Sequence, residues 1–264
     1  GTLRASALTA RDVELVEHYA IRALEIGYEH AGPALADTNV RAQLVAVLRD
    51  VAVASLHAPY RPERDLSLLD ESRRKTAVRH AAEALSLASE LGAGLVVLHG
   101  SEEKIYPAAR HARLDQAHKS LSVLVALAAD LDLRLALETL PPAWLPAGST
   151  EAWQMLNGLD PERIGFCLDS NHANLTGDLG AITRSLGPRL WSLHISDNDG
   201  IDQRHWMPMR GIIDWRAFLQ VLDEVGYAGP FIYELDVFAE GVERGLETIG
   251  DNVKKLLQLK TNGD

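Results

Sequence analysis

Short apolar runs alternate with longer amphipathic stretches along almost the whole chain. The runs fall at 3–8, 21–26, 51–56, 95–98, 133–137, 164–168, 190–195 and 231–233. Each has the length of a strand, and most are nearly unbroken in apolar residues, as parallel strands buried on both faces are. The stretches between them carry helical spacing. Thr9 opens a helix, with Asp12 in a capping-box-like position. The segment 36–48 places Leu44, Val45 and Leu48 together. The segment 69–91 puts Ala77, Ala81, Ala84, Leu85 and Ala88 on one face and closes at Gly92. Further helices are predicted through Leu114, Leu121 and Val125, over 151–156 and 179–186, from a cap at Asp214 through Val225, and through Leu246, Ile249, Val253 and Leu256. Eight strand-helix units in about 250 residues predict an α/β fold, a (β/α)8 TIM barrel. A doubly wound open sheet is the other architecture with this rhythm, but no Gly-rich phosphate loop follows any of the runs. With no shift of composition to mark a linker, residues 1–264 are expected to form one domain.

Composition narrows the function classes. The formal charge is −11, from 26 Lys plus Arg against 37 Asp plus Glu. This argues against a general nucleic-acid binder, which carries a basic face. No apolar run reaches the ~18 residues of a membrane span, and no long apolar leader follows Gly1. The single cysteine, Cys167, lies inside the sixth run and reads as a small buried residue; with no disulfide possible within the chain, a reducing cytoplasm is the expected location. Ten histidines are the compositional oddity.

Those histidines gather where the apolar runs end. The third run ends in His57, the fourth is followed by His99, the fifth by Glu138, the sixth by Asp169 and His172, and the eighth by Glu234; the seventh contains His194. His205 sits in the long polar loop after it. In a (β/α)8 barrel all these ends share the face where chemistry is done. Each residue alone has a plainer reading, such as a helix cap or a turn, but together they describe a metal site. Imidazole and carboxylate without thiolate suit Zn²⁺ or Mn²⁺. Glu138, Asp169, His194 and Glu234 make one four-ligand site. His57 and His99 can add a second ion sharing Glu138, and His172 with His205 can support a third or bind substrate. One to three ions are thus expected.

Several motifs resemble those of the xylose-isomerase-like TIM barrels, a superfamily of sugar isomerases, sugar epimerases and endonuclease-IV-type apurinic endonucleases. They are Ser55-Leu-His57-Ala-Pro-Tyr60, Leu98-His99-Gly100, Leu137-Glu138, Leu168-Asp169-Ser-Asn-His172-Ala, Leu193-His194-Ile-Ser-Asp197 and Gly226-Tyr-Ala-Gly229-Pro-Phe-Ile-Tyr-Glu234. The family often carries an Asp-Arg-His-x-x-Pro-Gly-x-Gly loop. Here Gln203-Arg204-His205-Trp206-Met207-Pro208-Met209-Arg210-Gly211 stands in its place, so Gln203 replaces the Asp and Met209 a Gly, unless a slip brings Asp202 into play. That departure puts the third ion in doubt.

The resemblance implies a metal-dependent isomerase or epimerase of a sugar, sugar phosphate or related polyol ketone. Glu138, Asp169, His194 and Glu234 would hold the metal, and Glu138 and Glu234 would move the proton as base and acid. His172, Arg204, His205, Trp144 and Trp206 are the expected substrate contacts. The alternatives are an endonuclease-IV-like zinc-dependent phosphodiester hydrolase acting on abasic DNA, and a non-catalytic ligand-binding barrel. The expected partner is a small carbohydrate, with no membrane and with self-association open.

Overall fold

The structure is a computed structural model that describes residues 10–19, 21–31, 37–49, 51–235 and 241–261. Seven parallel strands among these residues form one sheet in sequence order: β1 (Leu24–Gly27), β2 (Val53–His57), β3 (Leu95–Leu98), β4 (Arg134–Glu138), β5 (Ile164–Asp169), β6 (Leu190–Ile195) and β7 (Phe231–Tyr233). Each strand pairs in parallel with the next, with a register shift between Leu24 and Glu25 in β1 and another between Phe166 and Cys167 in β5, and helices cover the outer face, as in a nearly closed TIM barrel. The apolar run at 3–8 lies outside the described residues. So does Thr9, proposed to open the first helix, α1 (Ala10–His18).

Side chains alternate across β3, β4 and β5 and both faces are buried, which explains why these runs read as uninterrupted. Val96, Leu98, Leu135, Leu137, Phe166 and Leu168 face outward into the main core. The main helices there are α4 (Glu71–Glu90), α5 (Arg110–Asp130) and α6 (Gly148–Met155). The opposite faces of β3, β4 and β5 bury Leu95, Val97, Ala136 and Cys167, with Trp191 packed against them inside the barrel. The inward position above Ala136 is Glu138, and that above Cys167 is Asp169. Alternation alone therefore lifts two carboxylates onto one layer at the C-terminal end.

Local signals act at the helix starts. Asp70, Asp178 and Asp214 each accept a hydrogen bond from a backbone N–H in the first turn of α4, α8 (Leu179–Leu186) and α9 (Trp215–Glu224). Such caps stabilise a helix by about 1 kcal/mol each. Asp37 does the same for α3 (Thr38–Val47). Two short helices, α2 (Tyr28–Ala31) and α7 (Ser170–Thr176), follow β1 and β5 directly, and α10 (Val242–Thr261) follows β7. Among the described residues no helix is long and apolar enough to cross a membrane.

Candidate metal centre

Glu138 closes β4 and is 1% exposed. Imidazoles from four places converge on its carboxylate. His57 Nε2 and His99 Nε2 each lie 3.2 Å from Oε2, His194 Nδ1 lies 3.3 Å from Oε2, and His172 Nδ1 lies 3.4 Å from Oε1. Burial by itself would raise the Glu138 pKa, but the neighbouring His194 and His99 hold it well below the usual carboxylate range. Burial likewise lowers each imidazole, and the carboxylates outweigh it. His57 is raised by its hydrogen bond to Glu138, and His99 is raised well above its ordinary value by Glu102 and Glu138. Asp169 and Glu138 push His172 up to about 9.

The other nitrogen of each ring fixes its protonation. His57 Nδ1 is 2.8 Å from the Ala58 carbonyl, His99 Nδ1 is 3.1 Å from Glu102 Oε1, and His194 Nε2 is 3.0 Å from Glu25 Oε1. A neutral imidazole has one donor and one acceptor nitrogen. The outer acceptors claim the N–H, so the lone pairs of His57, His99 and His194 face an ionised carboxylate. Acceptor against acceptor is stable only with a proton or a cation between them. His172 is arranged differently: its Nδ1, the nitrogen nearest Glu138, also lies 2.9 Å from the Thr139 carbonyl, so the N–H is already placed there.

Three buried polar atoms in this cluster have no hydrogen-bond partner: Asp169 Oδ2, His194 Nδ1 and Glu234 Oε2. Orphaned buried polar atoms are uncommon and call for an explanation. These belong to one group, for the ligating atoms of Glu138, Asp169, His194 and Glu234 all lie within 4.8 Å of one another. Asp169 serves two ends with its two oxygens. Oδ1 caps α7 by accepting from the His172 N–H at 2.7 Å, and Oδ2 is left over. Burial pushes Asp169 up to about 6, with His172 pulling the other way. Burial would also raise Glu234, but His194, whose Nδ1 lies 3.3 Å from its Oε2, brings it down to about 2. Three carboxylates and an imidazole with free lone pairs fit a hard-to-borderline divalent ion. His57, His99 and Glu138 form a second group of possible ligands. A third adds Cys167 to Glu138 and His194. Burial, however, pushes the Cys167 thiol up to about 12, which opposes a thiolate ligand in the metal-free protein.

The remaining expected residues are placed around this centre rather than in it. His205 has a left-handed backbone with φ 43°, its Nδ1 is 3.2 Å from the Glu234 carbonyl, and its ring centre is 6.3 Å from that of His172. Neither His172 nor His205 joins a ligand group among the described residues. Asp202 and Gln203 are both exposed, and the Asp202 carboxylate is 3.4 Å from Arg204. Arg204 in turn bonds Asp199 at 2.8 Å. Trp206 is stacked under Arg210 and Trp144 under Lys104.

Glu25, Glu102 and Tyr60 are the site residues that sequence reading passed over. Glu25 is the one acidic residue inside an apolar run, Glu102 stands three residues after His99, and the Tyr60 ring meets the His57 ring edge-on at 5.2 Å. An acidic residue within an apolar run was the signal available for the first.

The chain belongs to the xylose isomerase-like TIM barrel family, whose model matches residues 13–255. It is 28% identical over 185 residues to an uncharacterized protein of Methanocaldococcus jannaschii, covering 68% of this chain and 63% of that protein. Its fold is similar to a D-tagatose 3-epimerase-like protein, with a TM-score of 0.80 at 21% identity over 97% of both chains. It is also similar to D-psicose 3-epimerase from Clostridium cellulolyticum H10, solved with D-tagatose, with a TM-score of 0.77 at 19% identity over 96% of this chain and 92% of the other.

Proposed function

We propose that the protein is a divalent-metal-dependent isomerase or epimerase of a sugar, sugar phosphate or related polyol ketone. The observation that carries this reading is the group of Glu138, Asp169, His194 and Glu234, three of which present a buried atom with no partner to a common point. The epimerases among its structural neighbours support a sugar as the substrate class. Zn²⁺ or Mn²⁺ suits the donor set. When bound there, such an ion draws charge from a substrate carbonyl and its neighbouring hydroxyl as a proton leaves the carbon between them.

The chain's own groups then handle that proton. Glu138 enters the site from β4 and Glu234 from the end of β7. Both are held low enough to be ionised at neutral pH, so either can accept a proton. The Glu234 side chain is 43% exposed, so it reaches substrate most readily. One carboxylate removes the proton from carbon and the other returns it. His172 and His205 are assigned to substrate hydroxyls. Trp144 and Trp206 are assigned to the sugar ring's apolar faces, and Arg204 to a charged or polar substituent that displaces Asp199.

The second group, His57, His99 and Glu138, favours a rival reading, an endonuclease-IV-like zinc-dependent phosphodiester hydrolase. That chemistry needs cations at the mouth to seat phosphates. Arg61, Arg110, Arg113 and Arg204 are already paired, with Glu29, Glu151, Asp65 and Asp199. The deciding experiment offers metal-loaded protein a panel of ketoses, aldoses, inososes and their phosphates in deuterated water, beside an abasic-site DNA duplex at low salt. Deuterium is expected to enter a sugar next to its carbonyl, and the exchange to be lost in Glu138→Gln and Glu234→Gln. Nicking of the duplex with no exchange in any sugar would replace this reading with the hydrolase.

A further inference from the structure

We infer that Glu25 is a positioning residue for the metal centre: it fixes the His194 ring so that Nδ1, not Nε2, is the ligating atom. The inference rests on the metal reading of the previous section. Glu25 lies on β1, paired in register with Ser55 on β2, and its side chain reaches His194 on β6 across the barrel interior. Its Oε1 and Oε2 are 3.0 and 3.2 Å from His194 Nε2. The Ser55 hydroxyl donates to Oε2 at 2.6 Å and fixes the carboxylate in turn. Ser55 is fully buried, and His194 is 1% exposed.

The chain of donors runs one way. Ser55 gives its proton to Glu25, and Glu25, having only acceptors, must receive one from His194 Nε2. A ring that donates at Nε2 keeps its lone pair at Nδ1. That atom has no hydrogen-bond partner of its own and lies 3.3 Å from both Glu138 Oε2 and Glu234 Oε2. Glu25 belongs to none of the ligand groups among the described residues, so its part is to orient and charge the ligand rather than to bind the ion. Carboxylates placed this way behind a metal-bound imidazole raise its basicity, and their loss typically weakens metal binding about 10- to 100-fold.

The test is zinc affinity, measured by competition with a chromophoric chelator, for wild type, Glu25→Gln, Glu25→Leu, His194→Ala and the His194→Ala double variants. Glu25→Leu is expected to weaken the site that His194→Ala weakens by about 10- to 100-fold, with Glu25→Gln, which keeps an acceptor, in between. Because Glu25 acts through His194, its substitution should cost little more once His194 is Ala. In ¹⁵N-histidine-labelled, zinc-loaded protein, the His194 ring should show a protonated Nε2 in wild type and Glu25→Gln, and lose that hydrogen-bonded signal in Glu25→Leu. Equal affinity in wild type and both Glu25 variants overturns the inference, as do additive losses in the cycle. Should Glu25→Leu not fold, the Glu25→Gln cycle decides it alone. Wild-type protein that binds no zinc, or a His194→Ala variant that binds as wild type does, overturns the metal reading itself.

Discussion

An imidazole lone pair aimed at a buried carboxylate must have something positive between them, and in the metal-free protein that is a proton. His172, whose N–H is already directed at the Thr139 carbonyl, is raised by the same carboxylates: Asp169 and Glu138 push it up to about 9 in the folded state. Against an unfolded value of about 6.5, its contribution is fully present below about pH 6.5 and is lost as pH rises through about 9. Glu138 is depressed, so its contribution is present above its unfolded value and lost only in acid. The metal-free protein is therefore expected to lose thermal stability between pH 6.5 and about 9.5, less steeply in His172→Gln; equal slopes in the two proteins would remove His172 from this role. His57, His99 and His194 are raised as well, so a metal ion entering the site must displace protons. Calorimetric titration of zinc near neutral pH, repeated in buffers of different ionisation heat, should show proton release, and release that falls to zero would mean the rings are neutral before metal binds.

At the scale of elements, the long connection from Ser196 to Ile213 shows how one buried carboxylate can order a loop. Asp197 accepts from the Met209 and Ile213 backbone N–H groups and from the Trp215 indole, at 3.0, 3.2 and 2.8 Å. Its own backbone pairs with Trp206. Removing these accepted bonds, and a fourth from the Asn198 N–H at 2.9 Å, in Asp197→Ala should cost about 4 kcal/mol, read by urea unfolding, with a loss below 1 kcal/mol showing that the loop orders itself. Gly211 sits against this knot so closely that a Cβ would collide with the Asn198 carbonyl and the Asp197 carboxylate. Met209, which stands where the family often has Gly, has φ 73°, a left-handed conformation that costs a side-chain-bearing residue about 1–2 kcal/mol. Met209→Gly should therefore leave stability unchanged or raise it, while the β-branched Met209→Val lowers it. The same elements show what was legible in sequence. The bounds of β3, β6 and β7 coincide with their apolar runs, and in β3, where all four residues are buried, burial on both faces selects an apolar residue at every position. The polar residues that end or follow those runs pointed to the site for the same reason. Glu25 was hidden because the run 21–26 is read as apolar even with Arg22 and Glu25 in it, and only the pairing of β1 with β2 brings the carboxylate beside Ser55. The short helix α7 was hidden because Ser170, Asn171 and Asn174 favour turns in isolation. Asp169 overrides that preference by capping the segment. Arg113 is buried against Asp65, whose carboxylate also accepts from the Glu102 N–H and so braces the partner of His99.

At the scale of the molecule, the candidate ligands come from separate strands, so a bound ion would tie the barrel together across its C-terminal end. The group of Glu138, Asp169, His194 and Glu234 joins β4, β5 and β6 to the end of β7, and the group of His57, His99 and Glu138 joins β2 and β3 to β4. An ion that binds only the folded chain stabilises it by about 4 kcal/mol at a thousandfold excess over Kd. For a chain of this size that is a rise in Tm of roughly 8–16 °C. The two groups share Glu138 and nothing else, which makes their separate removal informative. The His57→Ala/His99→Ala protein should lose one equivalent of metal, keep the other, and still be stabilised by it. Asp169→Asn should weaken the other group and leave the histidine pair its ion. Glu138→Gln, the one substitution common to both, should strip both equivalents and abolish the rise in Tm. Metal content by elemental analysis and melting with and without added zinc measure the two quantities on the same samples. Unchanged stoichiometry in the double histidine variant would assign His57 and His99 to substrate instead of metal, and full retention in Glu138→Gln would place the ion somewhere other than the centre of these converging strands.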